Sequence, residues 1–197
     1  MSSIGWRAVA SRLVGLRVLP ARIALFEARA LTRALRLGDR FAIEAAMRAD
    51  DVRRLVRLAT GRQQVVELGT ACGWTAGALA LAAAPRIVTF DPVHHAHRDA
   101  YLALLPARAR ERIELVQEPG AAGAARPDLR PDLLIVDSTH SYEGTVEEVE
   151  AWRSRLAPGA VVAFHDYDHA DFPGVREAIE RCGLGGERSG GFLLWRP

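Results

Sequence analysis

Lysine is absent. All 26 basic residues of this 197-residue chain are arginine, which excludes a lysine base, a Schiff base and the lysine of a phosphate-binding loop. Arginine in its place, with abundant alanine and glycine, reads as the codon bias of a GC-rich, bacterial genome. Cysteine is scarce: Cys72 and Cys182 stand far apart in sequence, which excludes a disulfide framework and leads us to expect a cytoplasmic chain. Long uncharged apolar runs are also missing. Nothing approaches the roughly 18 residues of a membrane span, and arginines interrupt every early apolar stretch before a secretory signal can form.

What is present is ordinary in bulk and uneven in distribution. Hydrophobic residues make up 49% and charged ones 25%, a globular balance at a length suited to one domain. Residues 1–40 hold eight arginines against Glu27 and Asp39, a net of +6, while residues 41–197 set 18 basic against 22 acidic residues. The chain therefore reads as a basic N-terminal helical arm, 1–40, on a larger domain, 41–197. The arm is either a solvated helix face or a docking segment for phosphates, anionic lipid or an acidic partner.

The spacing of apolar residues predicts helices over Ile4–Val18, Arg22–Leu37 and about Phe41–Ala59. From residue 64 short apolar runs alternate with helices. Strands are expected at Gln64–Leu68, Arg86–Phe90, Arg112–Val116, Asp132–Val136, Ala160–Phe164 and Gly191–Trp195. Helices are expected at Trp74–Ala83, Ala96–Leu105, Ser141–Leu156 and Pro173–Cys182. Near-continuous apolar strands separated by helices imply an α/β, Rossmann-like, mostly parallel sheet covered on both faces. The glycines at 185, 186, 190 and 191 leave one convincing strand at the end, so six to seven strands are expected.

Ligands of such sheets lie beyond the carboxyl ends of the strands. After the first strand comes Glu67-Leu-Gly69-Thr70-Ala-Cys-Gly73-Trp-Thr75, with glycines for a tight turn and for close approach to a helix start. This is neither G-x-G-x-x-G nor a phosphate loop. Glu67 would repel a pyrophosphate and suits a cationic ligand. The second strand runs into Asp91, 22 residues beyond Gly69, where a carboxylate can accept both hydroxyls of a ribose. A nucleoside carrying positive charge in place of phosphates is S-adenosyl-L-methionine; a dehydrogenase is discarded on the same grounds. The fourth strand delivers Asp137-Ser-Thr-His140, and the fifth His165-Asp166-Tyr167. Two hard oxygen donors at adjacent strand ends can share a divalent cation.

The string Glu-Leu-Gly-x-x-x-Gly-x-Thr with its downstream acid resembles the first two motifs of class I S-adenosylmethionine-dependent methyltransferases. The Asp137/Asp166 pair resembles the metal-dependent small-molecule and sugar O-methyltransferases of that class, catechol O-methyltransferase among them. By that resemblance Glu67, Gly69, Thr70, Gly73, Thr75, Asp91 and Asp137 hold the cofactor. Asp137, His165 and Asp166 ligate Mg2+ or Mn2+, and His140 is the general base. Ser138-Thr139 and His165 depart from the usual strings by removing acids. The implied reaction is methylation of a small-molecule hydroxyl on a sugar or secondary metabolite. An RNA ribose methyltransferase, or a catalytically silent nucleoside-binding scaffold, is the alternative. Nucleic acid is not the expected partner, since the residues after the fourth strand lack the Asp/Asn-Pro-Pro-aromatic string of base methylation. A homodimer through the N-terminal helices is a further expectation of the resemblance. Of the other polar residues, His94, His95 and His97 read as a solvated loop, Asp168, His169 and Asp171 as candidates for the acceptor pocket, and Trp152 as core.

Overall fold

The protein was analysed as a computed structural model that describes residues 6–82, 84 and 86–197. Four helices precede the sheet: α1 (Trp6–Gly15), α2 (Ala21–Leu37), α3 (Arg40–Ala45) and α4 (Ala49–Ala59). Then follow β1 (Val65–Leu68), α5 (Trp74–Leu81), β2 (Ile87–Phe90), α6 (Arg98–Leu102), α7 (Ala107–Arg110) and β3 (Ile113–Val116). A 3-10 segment, Gly120–Ala125, leads to β4 (Leu133–Val136), α8 (Tyr142–Trp152), β5 (Val161–His165) and α9 (Pro173–Arg181), and the chain ends in β6 (Glu187–Ser189) and β7 (Phe192–Trp195).

The seven strands lie in the order β3-β2-β1-β4-β5-β7-β6, parallel except for β7, which runs antiparallel to β5 and β6. Successive side chains of a strand point to opposite faces, and both faces are filled. Val65, Ile87, Leu133, Ile135, Val161 and Ala163 meet α1 to α7 on one side, while Val66, Leu68, Val88, Phe90, Leu134, Val136 and Phe164 meet α8 and α9 on the other. That double burial is why β1, β2 and β4 carry no alternating polar residue except Glu67 and Thr89, which bond to each other. Trp152 is buried, as expected for core, and donates its indole N–H to the Gly120 carbonyl at 3.0 Å.

The N-terminal helices share this core. α2 buries Ile23, Phe26, Ala30, Leu31 and Ala34 and packs over α5, and the Tyr101 hydroxyl donates to Asp39 at 2.7 Å. Residues 4 and 5 of the first expected helix, and Ala83 of the fourth, lie outside the described residues.

Two differences from the sequence reading matter for the site. The helix expected over Phe41–Ala59 is two helices, because Ala46 and Arg48 are extended, with ψ of 136° and 142°. No glycine or proline marks this break. The guanidinium of Arg12, reaching from α1, satisfies the stranded carbonyls: it donates to Ile43 O at 2.6 Å, to Met47 O at 3.2 Å and to Ala46 O. Carbonyls at a helix end need such partners. The second difference is at the C-terminus, where a seventh strand does form. It is short, three residues, and turns through Gly190 at φ +63°. A Cβ at Gly191 would lie 3.0 Å from Asp51 Oδ2, so the glycines that looked like strand breakers make room for a carboxylate from α4.

The tightest constraint on the ligand-facing edge is Gly69. Its φ is +101°, and a Cβ there would stand 1.8 Å from the carbonyl oxygen of Asp137. We expect Gly69→Ala to destabilise the protein by about 3 kcal/mol, the sum of left-handed strain and forced separation of the β1 and β4 ends. Denaturant unfolding monitored by circular dichroism measures this; a change below about 0.5 kcal/mol would be at odds with that packing.

Candidate active site

The loops leaving β1, β2, β4 and β5 open onto one cavity of about 960 Å3, closed on its far side by the α3–α4 break. Three non-glycine residues have positive φ among the described residues: Ala71 (45°), His140 (54°) and Asp166 (56°). Each sits in the loop that leaves a strand feeding this cavity, Asp166 directly after β5. Left-handed backbone in L-residues is held only where surrounding bonds over-determine it. Here the bonds are visible.

On the β1–β2 side, Asp91 holds the loop. Its Oδ2 accepts the Ala71 N–H at 2.8 Å and its Oδ1 the Val93 N–H at 2.8 Å. Buried Arg98 donates to the Ala71 carbonyl at 2.8 Å and lies 3.4 Å from Asp91. Asp91, Gly69, Thr70 and Thr75 line the cavity, together with Ala71, Cys72 and Trp74. Glu67 and Gly73 do not. Glu67 lies beneath the loop and accepts the Thr89 hydroxyl at 2.6 Å, with Thr70 joined to the same hydroxyl at 2.7 Å. Burial pushes the Glu67 carboxyl up to about 8, against the pull of the Thr89 hydrogen bond. Gly73, at φ +76°, caps the start of α5 and packs against Leu102.

On the β4–β5 side, Asp137, His140, His165 and Asp166 bring one ligand atom each within 4.8 Å of one another. The arrangement alternates in charge. His140 Nε2 is 3.2 Å from Asp137 Oδ1 and 3.1 Å from Asp166 Oδ2, and His165 Nδ1 is 3.0 Å and 3.3 Å from the same two oxygens. Burial opposes the charge on all four. It is outweighed: hydrogen bonds donated to Asp137 and Asp166 raise His140 to about 9, the field of Asp137 raises His165 further, and the two imidazoliums hold Asp137 down at about 2 and Asp166 lower still. Phe172 stacks on His140 at 4.5 Å and fixes its plane.

The four donors fit a divalent cation in kind as well as in spacing. Two carboxylates with two imidazoles is a mixed O/N set, which suits Mn2+, Fe2+ or Zn2+ better than Mg2+, an ion that favours all-oxygen octahedra.

Several cavity residues carry no signal in a linear reading. Asp51 is one. It lies on the buried stripe of α4 with Val52 and Leu55, accepts the Gly191 N–H at 3.1 Å and lies 3.9 Å from His165 Nε2. An acid on an otherwise apolar helix stripe was the only available hint. Glu148, which accepts the Ser138 hydroxyl at 2.6 Å, is another; burial raises it to about 7. Pro119, Gly120 and Ala121 line the wall after β3, and Met47 and Arg48 the wall at the helix break. Trp74 lines the cavity, and its indole Nε1 is buried with no hydrogen-bond partner among the described residues. His95, expected in a solvated loop, instead lines the cavity, stacked on Phe41 at 4.5 Å and 3.6 Å from Asp91. Asp168 and His169 line the cavity and Asp171 does not.

A family model described as a methyltransferase domain matches residues 66–167, which run from β1 through β5. The chain belongs to this family. Solved methyltransferase-fold structures agree with its architecture. CalS11, described as a TDP-rhamnose 3'-O-methyltransferase of calicheamicin biosynthesis, is 24% identical over 74% of this chain and 76% of its own, with a TM-score of 0.60. Cofactor-bound Rv0187 from MTB is 23% identical over 85% and 88%, with a TM-score of 0.63. The O-methyltransferase TomG from Streptomyces achromogenes, solved with SAM, is 22% identical over 77% and 80%, with a TM-score of 0.59. Among curated proteins no sequence matches the chain. The α/β methyltransferase architecture expected from the sequence is therefore the one observed, with seven strands.

The charge square makes a signed pH prediction for this methyltransferase-family chain without added metal. His140, raised in the fold, contributes stability that is full below its unfolded value near 6.5 and is lost as pH rises through about 9. Asp137, depressed in the fold, contributes stability that is full above its unfolded value and lost as pH falls toward about 2. Unfolding free energy should fall between pH 6.5 and 9, with His165 contributing beside His140, and His140→Gln should make that fall smaller by on the order of 2 kcal/mol without abolishing it. Parallel profiles for the two proteins would contradict the pairing.

Proposed function

We propose that this chain is an S-adenosyl-L-methionine-dependent O-methyltransferase acting on a hydroxyl of a small molecule, a sugar or a secondary metabolite, with a divalent cation. The supporting observation is the meeting, in one cavity, of the β1 loop and Asp91 on one side with the candidate cation ligands Asp137 and Asp166 on the other. CalS11 and TomG, described as a sugar and a tomaymycin-synthesis O-methyltransferase, favour that acceptor class.

In this reading Asp91, whose two oxygens each keep a lone pair beyond the Ala71 and Val93 bonds, accepts the ribose hydroxyls. Gly69, Thr70, Thr75 and Asp137 surround the methionyl end. Glu67 and Gly73 act from beneath, by fixing the loop on which those groups sit. The walls after β3, Pro119 to Ala121, flank the adenine.

Asp137, His165 and Asp166 would hold the cation, with Mn2+ preferred over Mg2+ by the imidazole. A bound cation would supply a Lewis acid that lowers the pKa of an acceptor hydroxyl. His140 takes that proton. It is protonated while it serves as partner to two carboxylates, and becomes a base once those carboxylates are otherwise neutralised. Phe172 keeps its ring in one plane, so the proton acceptor stays at Nε2 facing the strand ends. The α3–α4 break and residues Asp168 and His169 form the acceptor side of the cavity, where positioning rather than covalent chemistry does the work.

Calorimetry with each ligand separately tests this. Asp91→Ala should weaken S-adenosyl-L-methionine by about ten-fold or more, with Mn2+ binding unchanged. Asp137→Asn should remove Mn2+ binding. Wild-type Mn2+ affinity should rise between pH 6.5 and 8.5, because His165 must lose its proton to ligate. Methyl transfer to a panel of sugar and phenolic acceptors completes the test. Protein that ignores S-adenosyl-L-methionine but takes up NAD would end this reading.

A further inference from the structure

Large apolar side chains exposed to solvent are concentrated in one segment. Trp6, Leu13, Val14, Leu25, Leu37 and Phe41 fall within residues 6–41, and the remaining exposed ones among the described residues are Val93 and Leu115. Phe41 is accounted for by its stack on His95 at the cavity edge. The others are not. On α1, Trp6, Ala10, Leu13 and Val14 recur at i, i+4, i+7 and i+8, which is one side of a helix. Trp6 is 74% exposed and Val14 63%, whereas Val9 is buried and Arg12 turns inward to the carbonyls of the α3–α4 break.

The outward side of α2, the next α-helix along the chain, is basic. Arg22, Leu25, Arg29, Arg33 and Arg36 are exposed, opposite the buried Ile23, Phe26, Ala30 and Ala34. Arg7 and Arg17 are exposed as well. The only acid among residues 6–37 is Glu27, and it is buried in the helix packing. The outer layer thus combines positive charge with apolar side chains and carries no compensating acid.

We propose that the outer surface of α1 and α2 docks on an anionic lipid membrane, independently of the reaction assigned to the cavity. Each feature has a use there. Trp6, Leu13, Val14 and Leu25 enter the boundary between headgroups and acyl chains, while the arginines reach headgroup phosphates and lay their methylene stems along the apolar layer. No helix among the described residues is long and apolar enough to cross a membrane, so the contact would be interfacial. A second copy of the chain fits less well, since joining two such faces sets arginine against arginine. A nucleic acid would satisfy the arginines and leave the apolar side chains in water.

Co-sedimentation of the full chain with vesicles tests the proposal. Vesicles containing about one-third phosphatidylglycerol should retain the protein at low salt and release it at high salt, and pure phosphatidylcholine should not retain it. The triple substitution Arg22→Gln, Arg29→Gln and Arg36→Gln should lower partitioning by ~100-fold, about five-fold per charge. Leu13→Ser with Val14→Ser should abolish retention. Both variants should keep the far-ultraviolet spectrum and melting temperature of the wild type, which separates lost docking from lost folding. Failure of wild-type protein to bind the anionic vesicles would overturn the proposal. So would light scattering that shows a dimer dissolved by Leu13→Ser with Val14→Ser, or RNA retention that outlasts vesicle binding and ignores that double substitution.

Discussion

The backbone of Gly69 lies against the backbone of Asp137, and the rest of the site follows from that contact. The amide of Asp137 continues the β1–β4 ladder by donating to Leu68 O at 2.9 Å. The Gly69 Cα then comes so close to the Asp137 carbonyl that no side chain fits between them. The loop that shapes the cofactor half and the strand end that begins the cation half are therefore one packed unit. A cavity divided between these halves needs them at fixed separation, because transfer between two bound groups depends on alignment within a fraction of an ångström.

Around that contact the protein concentrates backbone strain and buried charge. Ala71, His140 and Asp166 hold left-handed conformations where three strands end, each tied down by carboxylate or imidazole bonds from another strand end. Asp137 and Asp166 would be costly to bury alone, and His140 and His165 would not be protonated alone. Together each offsets the desolvation of the others. Such a self-neutralising square can exchange its protons for a cation without leaving a bare charge in the interior. Asp51 extends the square by one member, since it approaches the far nitrogen of His165 from α4.

The N-terminal helices serve two surfaces at once. Inward, Arg12 caps the broken end of α3 and so shapes the cavity wall. Outward, α1 and α2 present apolar and basic side chains with no acid among them. A segment of net charge +6 on a domain of opposite sign already stood out in composition, but composition could not separate a docked layer from a loose arm. The packing of Phe26, Ala30 and Leu31 into the core decides that it is docked.

Local pattern was enough for the alternating strands and helices from residue 64 onward, for the turn around Gly69 and for the carboxylates at 91, 137 and 166, because the ends of buried parallel strands are where apolar runs stop and polar residues begin. It placed His140 and His165 beside Asp137 and Asp166 for the same reason. Local pattern could not find the α3–α4 break, the inward Asp51 or the downward Glu67. Each of these depends on a partner far along the chain: Arg12 for the helix break, the Gly191 amide for Asp51, and the Thr89 hydroxyl for Glu67. Side-chain direction at such positions is settled by long-range hydrogen bonds that only the assembled sheet brings within reach.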